Sequence, residues 1–335
     1  MKIIIPMAGR GSRLRPHTLT VPKPLVPIAG KSIVERLVKD ITKVCKTPIS
    51  EVAFIIGDFG TDVENQLMQI ADDIGAKGHI FHQEQALGTA HAILCAKKCL
   101  EGEVIVAFAD TLFKAEFELD RSKDGIIWVQ KVEDPSAYGV VKLSEDKVIT
   151  DFIEKPKEFV SDLAIIGVYY FKDGAYLDKE LQYLIDNNII ENGEYQLTNA
   201  LESMKQQGSK FGVGAVNEWL DCGNPKAAIH ANRRILAMKH EEGVNLVSSN
   251  VKLINSVINQ PCYIGNNVVL ENANIGPYAS IGNNSKVKDS VIKNSLIQNN
   301  TEIKEAVLDN SMIGNHVYYK GSSKAVSIGD FSSFE

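Results

Sequence analysis

A short stretch near the start of the chain combines residues suited to phosphate chemistry. It runs Gly9, Arg10, Gly11, Ser12, Arg13, Leu14, Arg15, Pro16, His17, Thr18, with Pro22, Lys23 and Pro24 just beyond. Glycines let a backbone approach phosphate oxygens closely, and arginine or lysine neutralises the remaining charge. Residues 1–40 hold eight cations (Lys2, Arg10, Arg13, Arg15, Lys23, Lys31, Arg36, Lys39) against Glu35 and Asp40. The whole chain carries a net charge of −6, which argues against a general nucleic-acid or anionic-membrane surface. A basic, glycine-containing segment in an acidic protein points to a small polyanion.

Two rival phosphate loops fail on spelling. A dinucleotide fingerprint needs a third glycine at position 14, where Leu14 stands. A Walker A loop ending at Gly30-Lys31-Ser32 needs glycine at position 25, where Leu25 stands. Elsewhere Asp110 closes the apolar run Val104 to Phe108, and Asp221 follows Trp219 and Leu220. A lone Asp after a strand more often makes a turn. Carboxylates at the margins of buried segments also suit Mg²⁺, which takes oxygen ligands, and the residues alone leave both readings open.

These residues need a scaffold. Lys2 to Ala8 reads as a buried strand leading into the loop. Residues Ser32 to Val44 carry Ile33, Leu37, Ile41 and Val44 at helical spacing. Strand-like and helix-like segments then alternate: Val52 to Ile56, Thr61 to Ile74 (capped by Thr61 or Asp62), His79 to His82, Thr89 to Cys99 and Val104 to Phe108. That is an open α/β pattern whose strand ends bind ligands. Ile126 to Val132, Gly139 to Leu143, Val148 to Glu154 and Ala164 to Phe171 read as further strands. Helices return at Gly174 to Asn187, Leu197 to Gln207 and Pro225 to Lys239. After about Val244 the pattern changes. Ile264, Leu270, Ile275, Ile281, Val287, Ile292, Ile297, Ile303, Leu308 and Ile313 advance by six or five. A hexapeptide period is that of a left-handed parallel β-helix, and the five-residue steps imply irregular coils or a slipped register. The 335 residues therefore divide into domains at 1–240 and 245–330.

The ordered motifs resemble those of the sugar-1-phosphate nucleotidylyltransferases, the makers of UDP-, dTDP-, ADP- and GDP-sugars. The resemblance rests on Gly9-x-Gly11-x-Arg13-Leu14-x-Pro16-x-Thr18 with Pro22-Lys23-Pro24, on Gln83 with Leu87 to Ala90, and on Asp110. It continues through Tyr138 to Val141, Glu154-Lys155-Pro156 and Trp219 to Gly223, covering roughly residues 1–240. It implies an α/β, Rossmann-like nucleotidyltransferase domain with a mainly parallel sheet, followed by the hexapeptide-repeat left-handed β-helix. It also implies roles. Ala8, Gly9, Gly11, Ser12, Arg13, Gln83, Gly88 and Thr89 would bind the nucleotide, and Arg13 and Lys23 would be catalytic. Tyr138, Gly139, Glu154, Lys155, Asp162 and Trp219 would bind the sugar phosphate, and Asp110 and Asp221 would hold Mg²⁺. Lys155, preceding a proline, is expected in an extended conformation.

Departures bear on sugar identity: Arg10 where many relatives have glycine, Asp162 where Asn is frequent, and Asn199 where Asp is frequent. The implied partners are a nucleoside triphosphate, dTTP or UTP favoured, and a sugar 1-phosphate, glucose 1-phosphate favoured. Alternatives are GTP with mannose 1-phosphate, ATP with glucose 1-phosphate, or a non-catalytic regulatory subunit. Acyl transfer by the β-helix is disfavoured, because such chemistry needs a histidine base and His316 is the sole histidine after His240. Self-association as a homo-oligomer through the β-helix is expected instead. The early apolar run from Ile3 to Ala8 is too short to span a membrane, so no membrane partner and a cytoplasmic location are expected. Cys95 and Cys99, four apart, are read as two buried helical cysteines rather than metal ligands, since no His or further Cys lies at ligand spacing.

Overall fold

The structure is a computed structural model that describes residues 1–9, 11–115, 119–321 and 325–334. Arg10 lies outside them. Contacts divide the chain into two compact units: Met1–Gly9 with Leu37–Trp219, and Arg10–Arg36 with Leu220–Glu335. The first elements are β1 (Lys2–Pro6), β2 (Pro27–Ile28), β3 (Lys31–Ser32), α1 (Ile33–Cys45), β4 (Glu51–Ile56) and α2 (Thr61–Asp72). Next come β5 (Lys77–His82), α3 (Thr89–Leu94), β6 (Val104–Ala107), β7 (Thr111–Lys114), β8 (Gly125–Lys131) and β9 (Val140–Leu143). Then follow β10 (Ile149–Ile153), β11 (Leu163–Phe171), α4 (Gly174–Asp186), α5 (Leu197–Gln206), β12 (Phe211–Ala215), β13 (Glu218–Asp221) and α6 (Pro225–Glu241).

Among the described residues the first unit is built on a nine-stranded sheet in the order β10-β9-β11-β6-β1-β4-β5, with β8 on β11 and β12 on β8. The run β6-β1-β4-β5 is parallel. Its strands read as unbroken apolar runs because both faces are covered: Ile3, Ile4, Ile5 and all of Val52 to Ile56 are fully buried. Each Val, Ile or Phe among them contributes about 1.5–3 kcal/mol of transfer free energy. The long strand β11 runs antiparallel to β6, β8 and β9, which brings the later, β-rich segment onto the same sheet.

Helix starts follow capping chemistry, with one correction. Asp173 accepts hydrogen bonds from the amides of Ala175 and Tyr176, and Asn224 from that of Ala227, with Pro225 opening α6. At α2 the cap is Gly60 rather than Thr61 or Asp62, and Asp62 and Glu64 instead complement the helix dipole from the first turn. The helix expected to reach Cys99 stops at Leu94. A 3₁₀ turn at Lys97–Cys99 follows, so that Leu100 can be buried ahead of β6. Strands β7, β12 and β13 were not foreseen from the sequence.

Among the described residues of the second unit, three parallel sheets of six, four and five short strands stack into a left-handed β-helix. Ile264 pairs with Ile281, Ile281 with Ile297 and Ile297 with Ile313, so successive coils take 17, 16 and 16 residues. The five-residue steps are therefore part of the coil geometry, not a slipped register. The corners explain the abundance of Asn: Asn267, Asn284 and Asn300 all have left-handed backbones, with φ of 56°, 58° and 55°. Asn tolerates that region better than other non-glycine residues. Its side chains also form ladders, Asn250 to Asn267 at 2.9 Å and Asn267 to Asn284 at 3.1 Å. His316 occupies the next corner, with φ of 57°, hydrogen-bonded to Asn300 and stacked on Phe331.

The same unit contains the glycine- and arginine-bearing loop. His17 Nε2 lies 3.0 Å from Ser327 Oγ, and Thr20 donates to Asp330. Fully buried Asn232 on α6 accepts from the Ala29 amide at 2.9 Å and from Ser280 Oγ at 2.6 Å. Arg36 donates to the carbonyls of Ile28 and Ala29, each at 2.7 Å. The loop is thus pinned at His17, Thr20 and Ala29 to a coil or helix far away in sequence. Among the described residues, no helix is long and apolar enough to cross a membrane.

Candidate functional site

In the sheet unit, the expected site residues gather where strands end. Ala8 and Gly9 follow β1, Gln83 follows β5, and Asp110 lies between β6 and β7. Gln83 donates from Nε2 to the Gly88 carbonyl at 3.2 Å and lies 3.1 Å from His91 Nδ1. Burial pushes the His91 pKa down, which favours the neutral ring and an acceptor role towards Gln83. Gly88 has φ of 109°, and a Cβ there would lie 2.5 Å from the Tyr195 carbonyl oxygen. Only glycine fits that position. Thr89 Oγ1 accepts from the Leu197 amide at 2.9 Å, meeting one of the open N–H groups that begin α5.

The sugar-phosphate candidates form a second group in this unit. Tyr138 and Trp219 pack edge to face at 5.0 Å. Trp219 Nε1 is buried and has no hydrogen-bond partner. An unmet buried donor costs about 1–3 kcal/mol, so a ligand acceptor there would be favoured. The Gly139 carbonyl accepts from the Ile165 amide at 2.8 Å, and the Tyr138 carbonyl accepts from Lys155 at 3.1 Å. Lys155 is not extended as its proline neighbour suggested. Its φ is 43°, in the left-handed region, held there by the bond to Tyr138. A lysine in that region stores strain, which elsewhere clusters at ligand sites. Its ammonium lies 3.6 Å from Glu154 Oε1 and its side chain is 55% exposed, against 13% for Glu154. Thr198 donates to the other Glu154 oxygen at 3.3 Å. Glu154 also borders a cleft of about 430 Å³, with Thr198, Asn199 and Glu202. Asp162 is engaged with Lys131 at 2.9 Å.

Tyr169 is a site neighbour that sequence reasoning missed. Burial, then the nearby carboxylates of Glu154 and Asp110, push its phenol strongly upward. One buried ring thus feels both a sugar-contact and a metal-ligand candidate. A tyrosine among the aliphatic residues of β11 was the available signal.

In the second unit, Gly11 precedes a 3₁₀ turn at Ser12–Leu14 that buries Leu14 and leaves Ser12 and Arg13 exposed. Thr18 donates to the Gly11 carbonyl at 2.8 Å, and Lys23 is buried. Asp221 ends β13, and its carboxylate folds over Gly223, where a Cβ would lie 2.9 Å from Oδ1. A glycine is what leaves that carboxylate room. Asp110 and Asp221 each offer carboxylate oxygens, the donor type that a hard cation such as Mg²⁺ takes.

Comparison with known proteins accords with these features. Residues 2–238 match the family described as nucleotidyl transferase. The chain is 31% identical over 281 residues to "Bifunctional protein GlmU" of Methanococcus maripaludis, covering 83% of this chain and 62% of that protein. It thus spans about 60% of the length of the first curated relatives it matches. It is 28% identical over 319 residues to glucose-1-phosphate thymidylyltransferase of Streptomyces antibioticus, covering 89% of this chain and 87% of the relative. A putative glucose-1-phosphate thymidylyltransferase structure from Bacillus anthracis superposes with TM-score 0.58 at 22% identity, covering 69% and 93%. That last likeness speaks for the fold alone.

Proposed function

The chain belongs to the nucleotidyl transferase family, and on that footing we propose that it joins a nucleoside triphosphate to a sugar 1-phosphate and releases pyrophosphate. A phosphate oxygen of the sugar attacks the α-phosphorus in line, and the bond to pyrophosphate breaks. The attacking group is already anionic, so positioning and charge neutralisation carry the reaction. Arg13 and Lys23 take the charge of the triphosphate and leaving pyrophosphate. Ala8, Gly9, Gly11, Ser12, Gln83, Gly88 and Thr89 hold the nucleotide. Tyr138, Gly139, Glu154, Lys155, Asp162 and Trp219 hold the sugar phosphate, with Lys155 on the nucleophile. Asp110 and Asp221 are assigned to Mg²⁺, which when bound neutralises the α-phosphate. The observation that carries this reading is the group around Trp219 and Lys155, where a buried N–H lacks an acceptor and a strained lysine presents its ammonium.

The favoured pair is dTTP or UTP with glucose 1-phosphate. The near full-length match to a thymidylyltransferase supports it. Residues 1–240 would form the catalytic domain and 245–330 an assembly domain. Val257, Val291 and Val307 are exposed on one β-helix sheet, in register through Asn274, and this apolar stripe supports self-association. The corner position of His316 supports a structural role over acyl transfer.

The deciding experiment measures pyrophosphate release with Mg²⁺ across dTTP, UTP, GTP, ATP and CTP, each with several hexose 1-phosphates. Release that needs both substrates and peaks at one pair is expected. Silence from folded protein across the matrix would overturn catalysis and favour a regulatory subunit.

A further inference from the structure

The amino ends of β1, β4 and β5 hold a cluster that takes no part in the transfer chemistry. Register pairs Lys2 with Glu51 and Glu51 with Lys77. His79 lies two residues beyond Lys77, so strand alternation puts Lys2, Glu51 and His79 on one face of the sheet. The turn after α3 brings Cys99 to that face, with its Sγ 3.8 Å from Glu51 Oε2. His79 Nε2 lies 2.9 Å from the same oxygen. The three ligand atoms all fall within 4.8 Å of one another.

Two details separate this cluster from an ordinary ion pair. His79 Nε2 is shut off from solvent and close to Glu51, yet it makes no aligned hydrogen bond. Proximity without alignment is expected of ligands whose lone pairs aim at a common centre. The carboxylate also divides its work: Oε1 faces Lys2 at 3.3 Å, which leaves Oε2 to the histidine and the cysteine. Cys99 itself is 1% exposed, whereas Glu51 and His79 are partly open and give an ion a way in.

We propose that Glu51, His79 and Cys99 form a three-ligand site for zinc or a similar thiophilic divalent cation, with water in the fourth position. One sulfur, one imidazole nitrogen and one carboxylate oxygen are zinc's donor types, and the thiolate disfavours Mg²⁺. On binding, the Cys99 thiol releases its proton to solvent and the sulfur donates its electron pair to the metal. No oxidation state changes. Thiolate and carboxylate balance the dication, and the metal ties β4, β5 and the Lys97–Cys99 turn together. The site lies at the amino ends of the strands, whereas Gln83 and Asp110 lie at the carboxyl ends of β5 and β6. Its role is therefore to brace the sheet.

Cobalt(II) titration of the full chain, followed by absorption, tests the site. A thiolate-to-cobalt charge-transfer band saturating at one equivalent and displaced by zinc is expected. All-oxygen Mg²⁺ ligands give no such band. Cys99→Ser, close to isosteric, should abolish it, while Cys45→Ser and Cys95→Ser retain it. His79→Gln should weaken cobalt binding by more than the roughly 10–100-fold typical of an outer-shell partner. No band in the folded parent protein, or a band that survives Cys99→Ser, would overturn the proposal. Either outcome is independent of whether pyrophosphate is released.

Discussion

The β-helix corners and the surroundings of Trp219 and Lys155 treat polar side chains in opposite ways. At the β-helix corners each amide meets its equivalent one coil on, as Asn250, Asn267 and Asn284 do, so polarity is consumed within the repeat. In the sheet unit, around Trp219 and Lys155, polarity is left over: Trp219 offers a buried N–H without an acceptor, and Lys155 holds a strained backbone with its ammonium half in solvent. A polar residue that recurs with the coil closes on itself. Donors that appear once, as those of Trp219 and Lys155 do, are the ones that the proposed sugar-phosphate site would use. Abundance of Asn thus marks architecture.

The contrast can be broken experimentally. The largest expected effect is on catalysis: Asp110→Asn and Arg13→Ala should each lower turnover on the order of 10²–10³-fold with little change in melting temperature. A lowered melting temperature with near-normal pyrophosphate release would put these residues among the structural ones. Next comes His17, in the loop. Burial, partly offset by Asp330, lowers its pKa from 6.5 to about 4. The folded chain then binds fewer protons than the unfolded one between those values, so stability is intact above about pH 6.5 and falls as the pH drops towards 4. The contribution at stake is about 3 kcal/mol. Denaturant unfolding at pH 7 and pH 4.5 should show a steeper loss for the parent than for His17→Gln, and equal losses would dismiss the assignment. The smallest effect belongs to the ladder. Asn284→Ala should cost about 1–2 kcal/mol for its left-handed backbone and leave turnover alone, with Asn284→Gly costing less. A change in turnover there would mean the ladder is not self-contained.

Much of the fold was legible because it is periodic. Parallel strands covered on both faces must be apolar throughout, and a coil must repeat its aliphatic residue. What escaped was set by distant partners. The left-handed Lys155 depends on the Tyr138 carbonyl, 17 positions back, against the local preference of a residue before proline. Gly88 reads as part of a nucleotide-binding segment, but its backbone is also demanded by Tyr195, which no local pattern reveals. Phe211 to Ala215 has two glycines, which weaken a strand pattern, yet pairing with β8 makes it a strand. Cys99 lay four residues from Cys95 and was judged by that spacing, whereas its neighbours Glu51 and His79 come from other strands. Spacing reports on ligands that share an element and is blind to those that the sheet assembles.

The bonds from His17 to Ser327 and from Thr20 to Asp330 join positions 310 residues apart. During synthesis the glycine- and arginine-bearing loop leaves the ribosome 310 residues ahead of the coil that fastens it. The loop would therefore reach its final shape only after residues 327–330 have emerged. A message broken before codon 327 would yield protein whose loop lacks its fastening.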